Sequence, residues 1–122
     1  MNWAAVVAAA LCAGVGAAHS YLGERYILIR LFRRTDLPHL FGSDVFTKRT
    51  LRFAWHLTTL AWWGFGILVL LLASRAPVGM LGTAVTATFA ITALVTLAGS
   101  RGRHLAWPVF AAIAVAAWYA TH

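Results

Sequence analysis

The segment 19–26 (HSYLGERY) places two ionisable residues at the end of a long apolar run. These are His19 and Glu24, the only glutamate of the 122-residue sequence. The run before them consists mostly of Ala, Val, Leu and Gly. Ionisable groups at the end of such a run are costly to place in a membrane and indicate a functional site. Imidazole and carboxylate groups bind transition metals, and paired imidazoles can ligate haem iron.

A second polar set has helical spacing. Arg52, His56, Thr59 and Trp63 follow one another at intervals of four, three and four residues, so they share one face of a helix. At 1.5 Å rise per residue, His19 lies about 7 Å from the level of Glu24, and His56 about 6 Å from that of Arg52. If the two helices are antiparallel, Glu24 can lie level with Arg52, and His19 level with His56. The spacing predicts a structural ion pair between Glu24 and Arg52, with His19 facing His56 one layer deeper.

The histidines predict a cofactor or metal site. His19, His56, His104 and Glu24 are the candidate metal ligands, because all are expected near the same end of their helices. His19 and His56 are the candidate haem-binding residues, with Trp63 as an aromatic wall beside a flat cofactor. No closely spaced ligand motif such as HxxxH or CxxCH occurs. The alternative is that each histidine bonds a hydroxyl or backbone carbonyl and only joins the helices.

The composition favours the membrane class. Hydrophobic residues make up 61% of the chain and charged residues only 11%, whereas a soluble domain is about one-quarter charged. The net charge of +7 does not indicate a nucleic-acid partner, because the basic residues cluster beside apolar runs. The single cysteine, Cys12, excludes an intrachain disulfide and a CxxC motif.

The elements that must position these residues are apolar helices. We predict an all-α integral membrane protein, a four-span antiparallel transmembrane helix bundle with short loops in one domain, 1–122. The predicted spans are about 2–22, 51–74, 78–98 and 104–121, each near the 20 residues that a bilayer requires. An amphipathic extension over 26–34 follows the first span. Ser43 or Asp44 is expected to cap the second helix, and Pro108 falls in the first turn of the fourth.

The basic residues predict the orientation. Nine of the ten Lys and Arg residues flank the first and third connections, and only Arg75 falls at the opposite end. The positive-inside rule places those connections in the cytoplasm and both termini outside it. A bacterial inner membrane is the expected location.

The leading functional prediction is metal or haem binding by the His/Glu/Arg cluster, in a redox or metal-handling role. One alternative is a homo-oligomeric transporter or channel for a small ion or small molecule. Another is an accessory subunit of a larger membrane complex. The expected partners are the lipid bilayer and either further copies of the chain or a larger complex, with no nucleic acid.

Overall fold

The computed structural model describes residues 2–122; Met1, which the predicted domain 1–122 includes, lies outside the described residues. The described chain is helical and contains no β-strand. Helix α1 is Trp3–Leu31 and includes a π-helical segment, Gly23–Leu28. The others are α2 (Val45–Ala73), α3 (Val78–Ser100) and α4 (Ala106–Thr121).

Three of the four helices have the length and apolarity of membrane spans. These are α1 and α2, each of 29 residues, and α3, of 23 residues. Helix α4 has 16 residues and is about 24 Å long, whereas the hydrocarbon core is about 30 Å thick. The all-helical class and the membrane-type helices agree with the sequence prediction.

The first two helices extend beyond the predicted spans. Helix α1 continues nine residues past position 22, through the π-helical segment with its buried Leu28, and includes positions 26–31 of the predicted extension over 26–34. Helix α2 begins at Val45, six residues before the predicted start at 51. An ion pair between Asp44 and Lys48, with 2.6 Å between Oδ2 and Nζ, spans its first turn. Glu24 and Lys48 therefore lie inside α1 and α2 rather than in the connection between them.

The residues at the starts of α2 and α4 agree more closely with the sequence prediction. The Val45 amide donates to Ser43 Oγ (3.4 Å), while Asp44 makes no side-chain cap bond. Helix α4 begins at Ala106, two residues after the predicted start, and Pro108 lies in its first turn. That position suits proline, since the first amides of a helix have no partner within it.

Each helix packs against its neighbours in sequence, and the pairs are antiparallel. Backbone contacts between helices of the described chain join only α1 to α2, α2 to α3 and α3 to α4. On α1, Gly16 lies against Trp63 and Gly23 against Trp55, so a lower position on α1 meets a higher one on α2. The same order relates the later pairs, through Gly64–Thr88 and Gly99–Phe53 for α2 with α3, and Gly82–Thr121 and Phe89–Phe110 for α3 with α4.

The face that α3 turns toward α2 is a ridge of small hydroxyl residues. Thr88, Thr92, Thr96 and Ser100 each donate to the carbonyl four residues earlier, at 2.7–2.8 Å. Their hydroxyls are thereby satisfied within the helix. Gly64 of α2 accommodates Thr88 at close range. The ridge therefore packs α3 against α2 without presenting free hydroxyl hydrogens to it.

Candidate functional site

Glu24 is the centre of a polar cluster between α1 and α2. Its Oε1 lies 2.8 Å from Arg52 Nη2, and its Oε2 lies 3.3 Å from His56 Nε2. The structure therefore brings Glu24 and Arg52 together, and it adds His56 as a second partner of the carboxylate. Phe32, just beyond the end of α1, lies against the Arg52 guanidinium at 4.9 Å from the ring centroid. Arg52 is thus held between the carboxylate and an aromatic ring.

A chain of hydrogen bonds continues from His56 into the helix interface. His56 Nδ1 lies 2.8 Å from Ser20 Oγ, which in turn lies 2.7 Å from Thr59 Oγ1. Thr59 donates to the Gly16 carbonyl oxygen at 3.0 Å and is only 4% exposed. The polar chain thus runs from the exposed Arg52 to the backbone of α1 at Gly16.

The contacts of this hydrogen-bond chain share a limited number of hydrogen atoms. A hydroxyl carries one hydrogen, and Thr59 uses its own on the Gly16 carbonyl. Ser20 must then donate to Thr59, so it can only accept from His56 Nδ1–H. The remaining contact, between His56 Nε2 and Glu24, needs one more hydrogen, either as an imidazolium facing a carboxylate or as a carboxylic acid facing a neutral ring. All four contacts are hydrogen bonds only when the Glu24–His56 pair holds this additional proton.

His19 lies beside this chain and is engaged with a tryptophan. Its ring stacks on Trp55 with 4.5 Å between centroids and 3° between planes, and its Nε2–H donates to the Trp55 carbonyl oxygen at 3.2 Å. Trp55 Nε1–H donates back to the His19 carbonyl oxygen at 3.0 Å. Trp62 meets the edge of the same ring. His19 therefore joins α1 to α2 through Trp55, while His56 faces Ser20 and Glu24.

Trp63 and His104 contact other groups. The Trp63 indole donates from Nε1 to the Ala13 carbonyl oxygen at 3.2 Å, and its ring lies over Gly16. His104 accepts at Nδ1 from the Ala106 amide (3.2 Å) at the start of α4 and packs against the rings of Phe46 and Phe53. Trp63 thus borders the site, and His104 is occupied by the α4 terminus and two aromatic rings.

Of the four candidate metal ligands, only His56 and Glu24 contact each other. Within residues 2–122, no group of three or more His, Cys, Asp or Glu side chains is arranged to hold a metal ion. Ligation by His56 requires its ring to release Ser20 or Glu24, whereas His19 bonds Trp55 through Nε2 alone. Metal or haem binding stays a prediction, to be checked by Soret absorbance and metal analysis of the purified protein.

The backbone at the site departs from regular α-helix. Glu24 lies in the π-helical segment Gly23–Leu28, a conformation that is frequent at functional sites. Gly23, which directly precedes Glu24 in the sequence, packs against the Trp55 indole. A Cβ at this position would lie 2.0 Å from Trp55 Nε1, so only glycine leaves room for the ring. The segment thus seats the indole and presents the carboxylate to α2 at the same place.

The sequence prediction did not assign Ser20 and Trp55 as partners of the histidines. It placed Thr59 on the face of His56 but gave it no hydrogen-bond partner. The spacing of Ser20 and Thr59 contained a signal. Ser20 is four residues before Glu24, and Thr59 is three residues after His56, so each shares a helix face with one member of the pair.

Comparison with known proteins yields no relative of this chain: no protein-family model, no curated protein and no solved structure matches it. Its function is therefore inferred from the chemistry of the α1–α2 cluster.

Proposed function

We propose that the chain is a four-span integral membrane protein of the small-ion transporter class, in which the Glu24–His56 pair binds the transported proton. The observation that supports this proposal is the hydrogen-bond chain from Glu24 to Gly16, whose contacts are all satisfied only when the pair holds an additional proton. Histidine and carboxylate groups within membrane spans are typical of proton relays.

The exposed surface supports membrane insertion. Large apolar side chains are exposed on every helix, among them Val15, Phe65, Leu94 and Val115. A soluble monomer rarely exposes so continuous an apolar surface. Helix α4 is apolar throughout and, although short, can be accommodated by local thinning of the bilayer. We propose four spans with the basic connections in the cytoplasm and both termini on the outer side of a bacterial inner membrane, as the positive-inside rule predicts.

The topology can be tested by labelling cysteines. In a Cys12→Ala background, Gly102→Cys and a cysteine added after His122 are expected to react with a membrane-impermeant maleimide from opposite sides of the membrane. The reason is that α4 separates the two positions. Labelling of both from the same side would contradict the four-span arrangement.

Release of the proton changes the hydrogen bonding at the interface between α1 and α2. Once His56 is neutral and keeps Nε2–H on Glu24, its Nδ1 becomes an acceptor and Ser20 must turn its hydrogen toward it. The contact between Ser20 and Thr59 then lacks a hydrogen. Proton binding is thereby coupled to the bonding between α1 and α2, as a transporter that changes conformation requires.

Proton flux into liposomes is the direct test. The purified chain is reconstituted with an internal pH dye, and a potassium gradient with valinomycin supplies the driving force. Wild-type protein is expected to acidify the lumen faster than empty liposomes do. Glu24→Gln and His56→Gln should reduce the flux to the empty-liposome level, because each removes one partner of the shared proton.

The matched control for this flux is His39→Gln, which changes an exposed histidine in the connection between α1 and α2. It should transport like wild type. Wild-type flux equal to that of empty liposomes, or undiminished flux in His56→Gln, would overturn the proposal.

A further inference from the structure

A groove beside the proton site opens between α2 and α3. Its volume is about 450 Å³. Cationic or polar side chains of α2 form one wall, and small or apolar residues of α3 form the other. The lining residues are Arg49, Arg52, Phe53, His56, Val95, Ala98 and Gly99. The groove thus combines positive charge with an apolar wall.

The chain provides no free carboxylate for Arg49 of this groove. Its three acidic residues already have partners: Asp36 pairs with Arg34, Asp44 with Lys48, and Glu24 with Arg52 and His56. The hydrogen bond from the Arg34 guanidinium lowers the pKa of the Asp36 carboxyl, which keeps that acid in its own ion pair.

Arg49 forms no ion pair within residues 2–122. A second copy of the chain would have the same engaged acids, so it would bring no free carboxylate to the groove. An anion that complements the charge of Arg49 must therefore come from outside the protein.

An apolar stripe continues from the cations along α2. Arg49, Arg52 and His56 are followed on the same face by Leu60, Trp63 and Ile67, at spacings of three or four residues. Trp63 and Ile67 are 44% and 50% exposed. From Leu60 to Ile67 the stripe extends about 10 Å along the helix. This order, with positive charge at the basic end and apolar surface toward the middle of the helix, matches a phosphate group followed by an acyl chain.

We propose that this groove and the adjoining stripe of α2 bind one anionic phospholipid, with its phosphate in the groove at Arg49 and Arg52 and an acyl chain along Leu60, Trp63 and Ile67 on the exposed face of α2. Arginine suits this role because its planar fork matches phosphate oxygens. Arg52 uses Nη2 on Glu24 and has further N–H donors for a second anion. The inference rests on the membrane insertion proposed above and is independent of proton transport.

The test measures lipid binding to the full-length protein in detergent. Phosphatidylglycerol and phosphatidylcholine are titrated separately, and bound lipid is counted by native mass spectrometry. Tighter binding of phosphatidylglycerol is expected. Arg49→Gln should weaken it about fivefold, as expected when one arginine near an anionic headgroup contributes about 1 kcal/mol. The control Arg33→Gln, an exposed arginine in the connection after α1, should leave the affinity unchanged.

Three results would overturn the lipid site. The first is equal affinity of the wild-type protein for the two lipids. The second is an equal loss of affinity in Arg49→Gln and Arg33→Gln. The third is displacement of phosphatidylglycerol by millimolar inorganic phosphate, which would assign the groove to free phosphate. The membrane fraction of the same cells is assayed in parallel. Wild-type protein that inserts but does not discriminate between the lipids contradicts this inference alone, whereas failure to insert contradicts the proposed function.

Discussion

Gly23→Ala is expected to destabilise the protein by about 1–3 kcal/mol, the usual cost of adding a methyl group to a packed interface. The new Cβ would lie 2.0 Å from Trp55 Nε1 and 2.4 Å from Cε2. Trp55 cannot move aside freely, because its indole N–H, its ring and its carbonyl oxygen all engage His19. Relieving the clash therefore breaks at least one of these contacts. The measurement is the free energy of unfolding in mixed micelles.

Gly14→Ala is the matched control for Gly23→Ala. It lies on the same helix, and a Cβ at this position meets nothing within 4 Å. Alanine favours a helix by about 1 kcal/mol relative to glycine, so this variant should be as stable as wild type or more stable. Equal stability of the two variants would show that Trp55 does not occupy the space over Gly23.

The match of layers between the first two helices follows from helix geometry. The rise per residue, an antiparallel arrangement and helix ends at the same membrane interface set Glu24 level with Arg52, and these side chains lie 2.8 Å apart. Depth depends only on position along the axis, so it can be read from residue numbers. The depth of a residue can therefore be predicted without knowing which face of its helix contacts the neighbouring helix.

The rotation of α1 about its axis could not be predicted in this way. The sequence prediction placed His19 toward His56, but the chain presents Ser20 and Glu24 to His56 and presents His19 to Trp55. Small and apolar residues surround α1 on all sides, so no hydrophobic stripe distinguishes its packed face. The π-helical segment Gly23–Leu28 also departs from the regular spacing on which such assignments depend.

The start of α2 was placed too late for a related reason. Its predicted span began at position 51, after Lys48 and Arg49, whereas the helix begins at Val45. Charged side chains do not interrupt a helix when they reach water or pair across a turn, as Lys48 does with Asp44. A limit derived from apolarity thus marks the lipid-facing part of the helix, and the hydrogen-bonded helix extends beyond it.

Glu24→Gln and Arg52→Gln are each expected to lower the free energy of unfolding by about 1–2 kcal/mol, between the values typical of exposed and buried ion pairs. The intermediate value follows from the exposure of the side chains, 50% for Arg52 and 34% for Glu24. Removal of Glu24 should cost more than removal of Arg52, because the carboxylate also accepts from His56. Unfolding of both single variants and of the double variant gives the coupling energy.

The double variant should lose less stability than the sum of the single variants, because the second substitution removes a partner that is already unpaired. Arg34 and Asp36 provide the control, since they form an ion pair on the exposed connection with side chains 60% and 64% exposed. Water and salt screen such a pair, so its cycle should show no measurable coupling. Additive losses at Glu24 and Arg52, like those expected at the control pair, would mean that the carboxylate is not held by Arg52. Glu24 would then depend on its contact with His56 alone.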